Sequence, residues 1–282
     1  MKRVVKIALI GMLIGFVGLV VSVSVSSYSF VEAFTGKTTV IEESETYDPN
    51  EVDRILVDVD LARVNVQATD EDQILVEYRG ELTSHNMERM DVDINNTDRQ
   101  LQIGFEYRQP SLSLFLNQSV EIDVHLPQET FEEVTVDSSA GRSIISDVSA
   151  NEVNLRSSAG RVDLQNIDSN KTFVTTSAGR VEVDQIKGDL NINTSAGKII
   201  AKLDRLEQDV TLEATAGEVE LLVQEEPTNM NLDFQASAGK GSVLVPLEYE
   251  VNSSNVIKGT VGDGDHYVRV RTTAGSFTFD VR

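Results

Sequence analysis

The sequence predicts an all-β chain: a parallel β-solenoid with coils of about 19 residues, preceded by one N-terminal transmembrane helix. Three observations predict it. Ser/Thr-Ala-Gly occurs seven times, ending at Gly141, Gly160, Gly179, Gly197, Gly217, Gly239 and Gly275, with spacings of 19, 19, 18, 20, 22 and 36. The apolar residues around these glycines share one register. The first 31 residues carry Lys2, Arg3 and Lys6 and then an uncharged stretch of 25, from Ile7 to Val31.

That stretch comes first in the chain. About 20 apolar residues cross a bilayer core as a helix. The basic cluster before it predicts an N-terminus held in the cytoplasm, with 1–31 as a signal-anchor. Ser22-Val23-Ser24 leaves the competing reading of a cleaved signal peptide open. In both readings residues 32–282 lie outside the membrane, in a single-pass, extracytoplasmic arrangement. Residues 32–50 read as a linker.

Residues 51–130 read as a degenerate first coil followed by a β-hairpin excursion that caps the stack. Ile55, Val57, Val59 and Leu61 lead into Ala62, which takes the glycine position, and Val64 and Val66 follow. The excursion holds four alternating runs: Gln73–Tyr78, Met90–Ile94, Leu101–Tyr107 and Val120–Leu126.

Residues 131–282 hold the regular repeats. Seven and five residues before each glycine stand apolar pairs such as Val153/Leu155 and Val210/Leu212; the coil ending at Gly179 departs from this with Thr172/Val174. A small residue stands three before. This is the period-2 alternation of a strand with one buried face. After the glycine the inward positions move to two and four later, as in Val162/Leu164 and Val181/Val183. The change of phase requires a bend at the Ala-Gly step, for which glycine has the dihedral freedom. These seven glycines are the expected structural corner. A two-strand unit cannot bury its own apolar face, but stacked at about 4.8 Å per coil it can. The spacing of 36 reads as two periods with one tripeptide missing, and 246–265 as an irregular insertion shielding the far end.

Composition excludes several functions. There is no Cys, hence no disulfide or thiolate metal site. Residues 32–282 hold 21 basic and 46 acidic residues, a net charge of −25. Such a surface repels nucleic acid. No cofactor motif is present.

The acidic exterior, the apolar anchor and the coils ending in Ser-Ala-Gly-Arg resemble the LiaG-like family of bacterial envelope proteins. Its extracytoplasmic part is a toastrack, or candidate adhesin, domain. The motifs are Asp137 to Arg142, Arg156 to Arg161, Thr175 to Arg180 and Asn193 to Lys198. The resemblance implies a role in envelope stress and brings no catalytic residues.

Candidate sites are few. Arg142, Arg161, Arg180 and Lys198 each follow a repeat glycine and would stack into a column. Such a column would bind an anionic wall polymer, or would form an exposed ladder of ion pairs with Asp163 and Glu182. Asp263 and Asp265 offer carboxylates at alternate positions that would suit calcium, in a turn lacking the other ligands of a calcium loop. The acids are scattered rather than clustered, which argues against an enzyme. The expected function is non-enzymatic envelope maintenance or stress response, through contacts with envelope proteins or cell-wall polymers. The alternatives are a surface adhesin and a carbohydrate-active β-solenoid enzyme.

Overall fold

The computed structural model describes residues 38–108 and 120–282. The transmembrane segment expected at 7–31 lies outside the described residues. Among the described residues no helix is long and apolar enough to cross a membrane.

The chain is all β. Its strands are β1 (Thr38–Tyr47), β2 (Arg54–Thr69), β3 (Ile74–Thr83), β4 (Met90–Thr97), β5 (Gln100–Tyr107), β6 (Val120–Pro127), β7 (Thr130–Ser146), β8 (Ser149–Leu203), β9 (Val210–Val223), β10 (Met230–Val243), β11 (Glu248–Asn252), β12 (Val256–Val261) and β13 (Tyr267–Val281). β8 runs through three successive coils. Against the all-strand expectation, Pro49–Glu51 form a 3-10 turn and α1 (Ser84–Met87) a single helical turn.

The sheet order is β1-β3-β6-β2-β7-β8-β9-β13-β10-β12-β11. From β2 to β10 the pairs are parallel and keep one register. Ala62 pairs with Gly141, Gly141 with Gly160, Gly197 with Gly217, Gly217 with Gly275, and Gly275 with Gly239. The inward residues form one continuous core: Val162, Val181, Ile199 and Val219 are fully buried. Burial of such side chains stabilises the stack by about 1.5–3 kcal/mol each.

Thr172, the polar exception among the inward positions, is also fully buried. Its hydroxyl lies 2.9 Å from that of Ser169, so a hydrogen bond replaces the missing apolar contact.

The first coil is covered in two pieces. β5 pairs with the first half of β2, up to Val59, and β4 backs it. β6 pairs with the second half, from Arg63, and β3 and β1 follow in antiparallel order. Ala62 falls where the cover changes from β5 to β6. That is why this level tolerates a β-carbon that the later levels do not.

The far end differs from the sequence reading in two respects. Residues 246–265 are not irregular: β11 and β12 form an antiparallel hairpin whose second strand pairs with β10. No coil with a missing tripeptide separates Gly239 from Gly275. The chain instead turns back, and β13 enters the stack between β9 and β10. A period read along the chain fixes the register of a strand but not its level.

Candidate functional site

The Ala-Gly edge of each coil is set by the coil beneath it. A β-carbon on Gly160 would stand 2.0 Å from the carbonyl oxygen of Gly141, and one on Gly197 would stand 1.8 Å from that of Gly179. The backbone takes φ between 130° and 149° at Gly141, Gly160, Gly179, Gly197 and Gly217, a region side chains avoid. Gly239 and Gly275 lack this positive φ, but β-carbons there would stand 2.2 Å and 1.9 Å from the carbonyl oxygens below. Close stacking, more than the bend, therefore demands glycine at the last two levels.

This edge projects the next residue of every coil outward, and the basic column forms as the spacing predicts. Each cation meets an acid. Arg142 Nε and Arg161 Nε lie 2.7 Å from the two oxygens of Asp163. Arg161 and Arg180 reach Glu182 at 3.3 Å and 3.0 Å. Lys198 sits 2.9 Å from Glu218 and 2.7 Å from Glu220. Lys202 completes the ladder on Glu182. Sequence reading missed Lys202, which lies four residues past Lys198 and faces the same acid from the next coil.

The ladder shifts the protonation of its members. The Lys202 hydrogen bond pulls the Glu182 carboxyl down to about 2, against the opposing effect of burial and with help from Arg180. Hydrogen bonds donated to Glu220 and Glu218 raise the Lys198 ammonium. The Arg161 guanidinium is raised by its hydrogen bond with Asp163. All these charges are balanced locally, so the column presents alternating signs rather than a cationic stripe.

The hydroxyls of Ser138, Ser157, Thr176 and Thr194, three before their glycines, face inward and bond in pairs from coil to coil, whereas Thr272 at the same position has no partner. Ser138 donates to Ser157 at 3.2 Å, Ser143 to Ser138 at 3.2 Å, and Thr176 to Thr194 at 2.9 Å.

Concavities outside the ladder include two with charged side chains in their walls. One, of about 360 Å³, is an open groove lined by Asn193, Glu213, Thr215, Gln235, Ser237 and Arg271. Arg271 is engaged there, 2.6 Å from Asp233 Oδ2 and 2.7 Å from the Asp233 carbonyl. Burial pushes the Asp233 carboxyl up, but the hydrogen bonds from Arg271 and Gln235 outweigh it and hold it below its ordinary range. The other, of about 330 Å³, is acidic, with Asp58, Asp91, Asp93 and Glu106 in its wall. Burial, then the charges of Asp137 and Asp60, raise the Asp58 carboxyl.

The calcium candidates do not converge. Asp265 Oδ2 accepts from Asn229 Nδ2 at 2.8 Å, and the Asp265 N–H donates to Asn229 Oδ1 at 2.8 Å. That reciprocal pair staples the turn containing Asp263, and it occupies the carboxylate a cation would need. Among the described residues no group of three or more His, Asp or Glu side chains could hold a metal.

Comparison with known proteins adds the following. No curated protein matches the chain. Solved structures that resemble it include a candidate cell adhesion protein from Clostridium sporogenes, 14% identical, covering 86% of this chain and 100% of its own, with a TM-score of 0.38. A candidate adhesin from Bacteroides fragilis is 12% identical, covering 85% and 97%, with a TM-score of 0.40. A candidate lipid-binding protein from Parabacteroides distasonis is 11% identical, covering 87% and 97%, with a TM-score of 0.37. The Toastrack DUF4097 family profile matches residues 52–279, from the first coil through the inserted last strand. The chain therefore belongs to the Toastrack DUF4097 family.

Proposed function

We propose that the protein is a non-enzymatic, LiaG-like envelope component. The apolar segment 7–31 anchors it in the cytoplasmic membrane with the N-terminus inside. The acidic β-solenoid-like stack is displayed outside and acts in envelope maintenance or stress response through contacts with proteins or wall polymers. The observation that carries this reading is the state of the outer ladder. Arg142, Arg161, Arg180 and Lys198 are all neutralised by acids of their own or the next coil, at 2.7 to 3.3 Å. A surface of fixed, paired charges offers contact area and no free acid, base or nucleophile. The order of basic cluster, apolar span and acidic region supports the exterior placement.

The test has two arms. Protease added to protoplasts that carry the full chain should digest residues 38–282, and protection of that region would overturn the placement. The full chain in detergent, incubated with isolated cell walls, should be retained without releasing soluble sugar. Sugar release lost on mutation of Asp58 would establish the enzymatic reading instead.

A further inference from the structure

Gly217 and Gly239 are 22 residues apart, close to the spacing of earlier coils, yet their strands do not touch. β13 lies between them. It pairs in parallel with β9 on one side and with β10 on the other, glycine on glycine. Successive coils earlier in the chain stack directly in this same register. The slot between β9 and β10 is thus filled by a strand whose glycine comes 36 residues after that of β10.

Three details mark β13 as an insert. Thr272 falls in the inward hydroxyl column, between Ala214 of β9 and Ala236 of β10. With alanine on both sides, its buried hydroxyl has no hydrogen-bond partner. Phe277 replaces the aliphatic residue that the coils of Gly160, Gly179, Gly197 and Gly217 carry two after the glycine, and Gly241 opposite it leaves the space. A β-carbon on Gly241 would stand 2.5 Å from the ring of Phe234, which stacks on Phe277 at 5.1 Å between centroids. The start of β13 is tied down by a side chain: the Tyr267 N–H donates to Asp209 Oδ1 at 2.8 Å.

None of these contacts depends on which chain supplies the strand. The connection from β12 to β13 is the turn 262–266, Gly-Asp-Gly-Asp-His, with φ of 63° at Gly262 and 75° at Gly264. Fully extended, five residues span about 17 Å, or three to four coil levels. While β13 is out, β9 and β10 share the register needed to pair with each other, so an open chain need not leave two bare edges.

We propose that β13 is an exchangeable strand. The slot between β9 and β10 accepts it from its own chain or, when the turn 262–266 opens, from a second copy of this chain, giving a reciprocal strand-swapped dimer. The swapped and unswapped forms bury the same interior and differ only at the turn. Chain concentration and turn geometry therefore set the balance between them.

Ser242 of β10 and Thr278 of β13 are register partners, and the chain has no native Cys. Neighbours on adjacent strands lie about 4.8 Å apart, within disulfide reach. The full chain carrying Ser242→Cys and Thr278→Cys would be denatured in detergent, refolded at about 1 µM and about 100 µM, oxidised, and run on a non-reducing gel. The covalent dimer should rise at least about fivefold at the higher concentration. Deleting Gly262 and Asp263 should make it the main product at both. The Thr130→Cys and Ser149→Cys pair bridges β7 and β8, where no exchange is expected, and should close within single chains throughout. Dimer formed equally by that control pair would overturn the proposal, because it would report ordinary association. So would a β10–β13 disulfide that stays within one chain at both concentrations even with the shortened turn. The unmutated chain gives an independent reading by light scattering. Refolded at the higher concentration, it should contain a dimer that survives dilution, and a wholly monomeric product overturns the proposal.

Discussion

Gly179 rests on Gly160 with no room between them: a β-carbon on Gly179 would stand 1.9 Å from the Gly160 carbonyl oxygen, at a φ of 133°. The clashing atom is backbone held in the ladder, so it cannot swing away as a side chain would. Gly179→Ala should therefore cost about 3 kcal/mol or more. Ala62→Gly, at the equivalent position of the first coil, removes only a small side chain and should cost about 1 kcal/mol. Urea unfolding of the two variants decides the matter. Similar midpoints would show that the edge is looser than its geometry.

The Glu182–Lys202 pair predicts an acid-sensitive increment of stability. The folded carboxyl titrates at about 2 against an ordinary 4.5. A depressed folded value means that the contribution is present above about pH 4.5 and is lost as pH falls towards 2. After allowance for solvent screening it amounts to about 1–2 kcal/mol. Glu182→Gln should lower stability by that amount at neutral pH, and the gap from wild type should narrow through this window. A gap independent of pH would remove the ion pair from the account.

Thr272 carries a buried hydroxyl with nothing to bond. Thr272→Val keeps the branched shape and removes that group. The variant should be as stable as wild type or up to about 1 kcal/mol more stable, since an unmet polar group in the core is a cost. Ala214→Ser should gain stability by offering the missing partner. A clear loss in the valine variant would mean that the hydroxyl is satisfied in solution.

Arg161 and Arg180 are half-exposed members of the ladder. Replacing both by Gln should cost at most about 1 kcal/mol and leave the fold intact. Retention of the full chain by isolated cell walls should survive the change, because the pairs already neutralise these cations. Retention that disappears in the double variant would make the column a polyanion site.

Most of the repeat was legible because its signal is local. The alternation at Val153/Leu155 and the phase change at Gly160 are written within a dozen residues. The first coil was legible for the same reason, although Ala62 stands where glycine is expected. The level of β13 was not legible. Val268 and Val270 announce a coil strand, but nothing in their own neighbourhood says which two strands will flank it. That information sits in pairs far apart in sequence: Gly241 leaves room for the Phe234–Phe277 stack, and Asp209 receives the Tyr267 N–H. The ladder was half legible: the Arg column follows from the period, but its closure by Lys202 required the coils to be set side by side.

The glycine edge also governs how such a chain can change its length. Between seven residues before each glycine and four after, a single inserted residue would turn every later side chain of that strand inside out and lift it off the carbonyl beneath. The opposite corner carries no such ruler. The steps of 20 and 22 residues are absorbed there, at 204–209 and 224–229, without disturbing the register of β9 or β10. A genome can therefore lengthen this protein by copying whole coils or by growing loops along that one corner. Frame-preserving insertions of one or two codons elsewhere in a coil should be eliminated by selection.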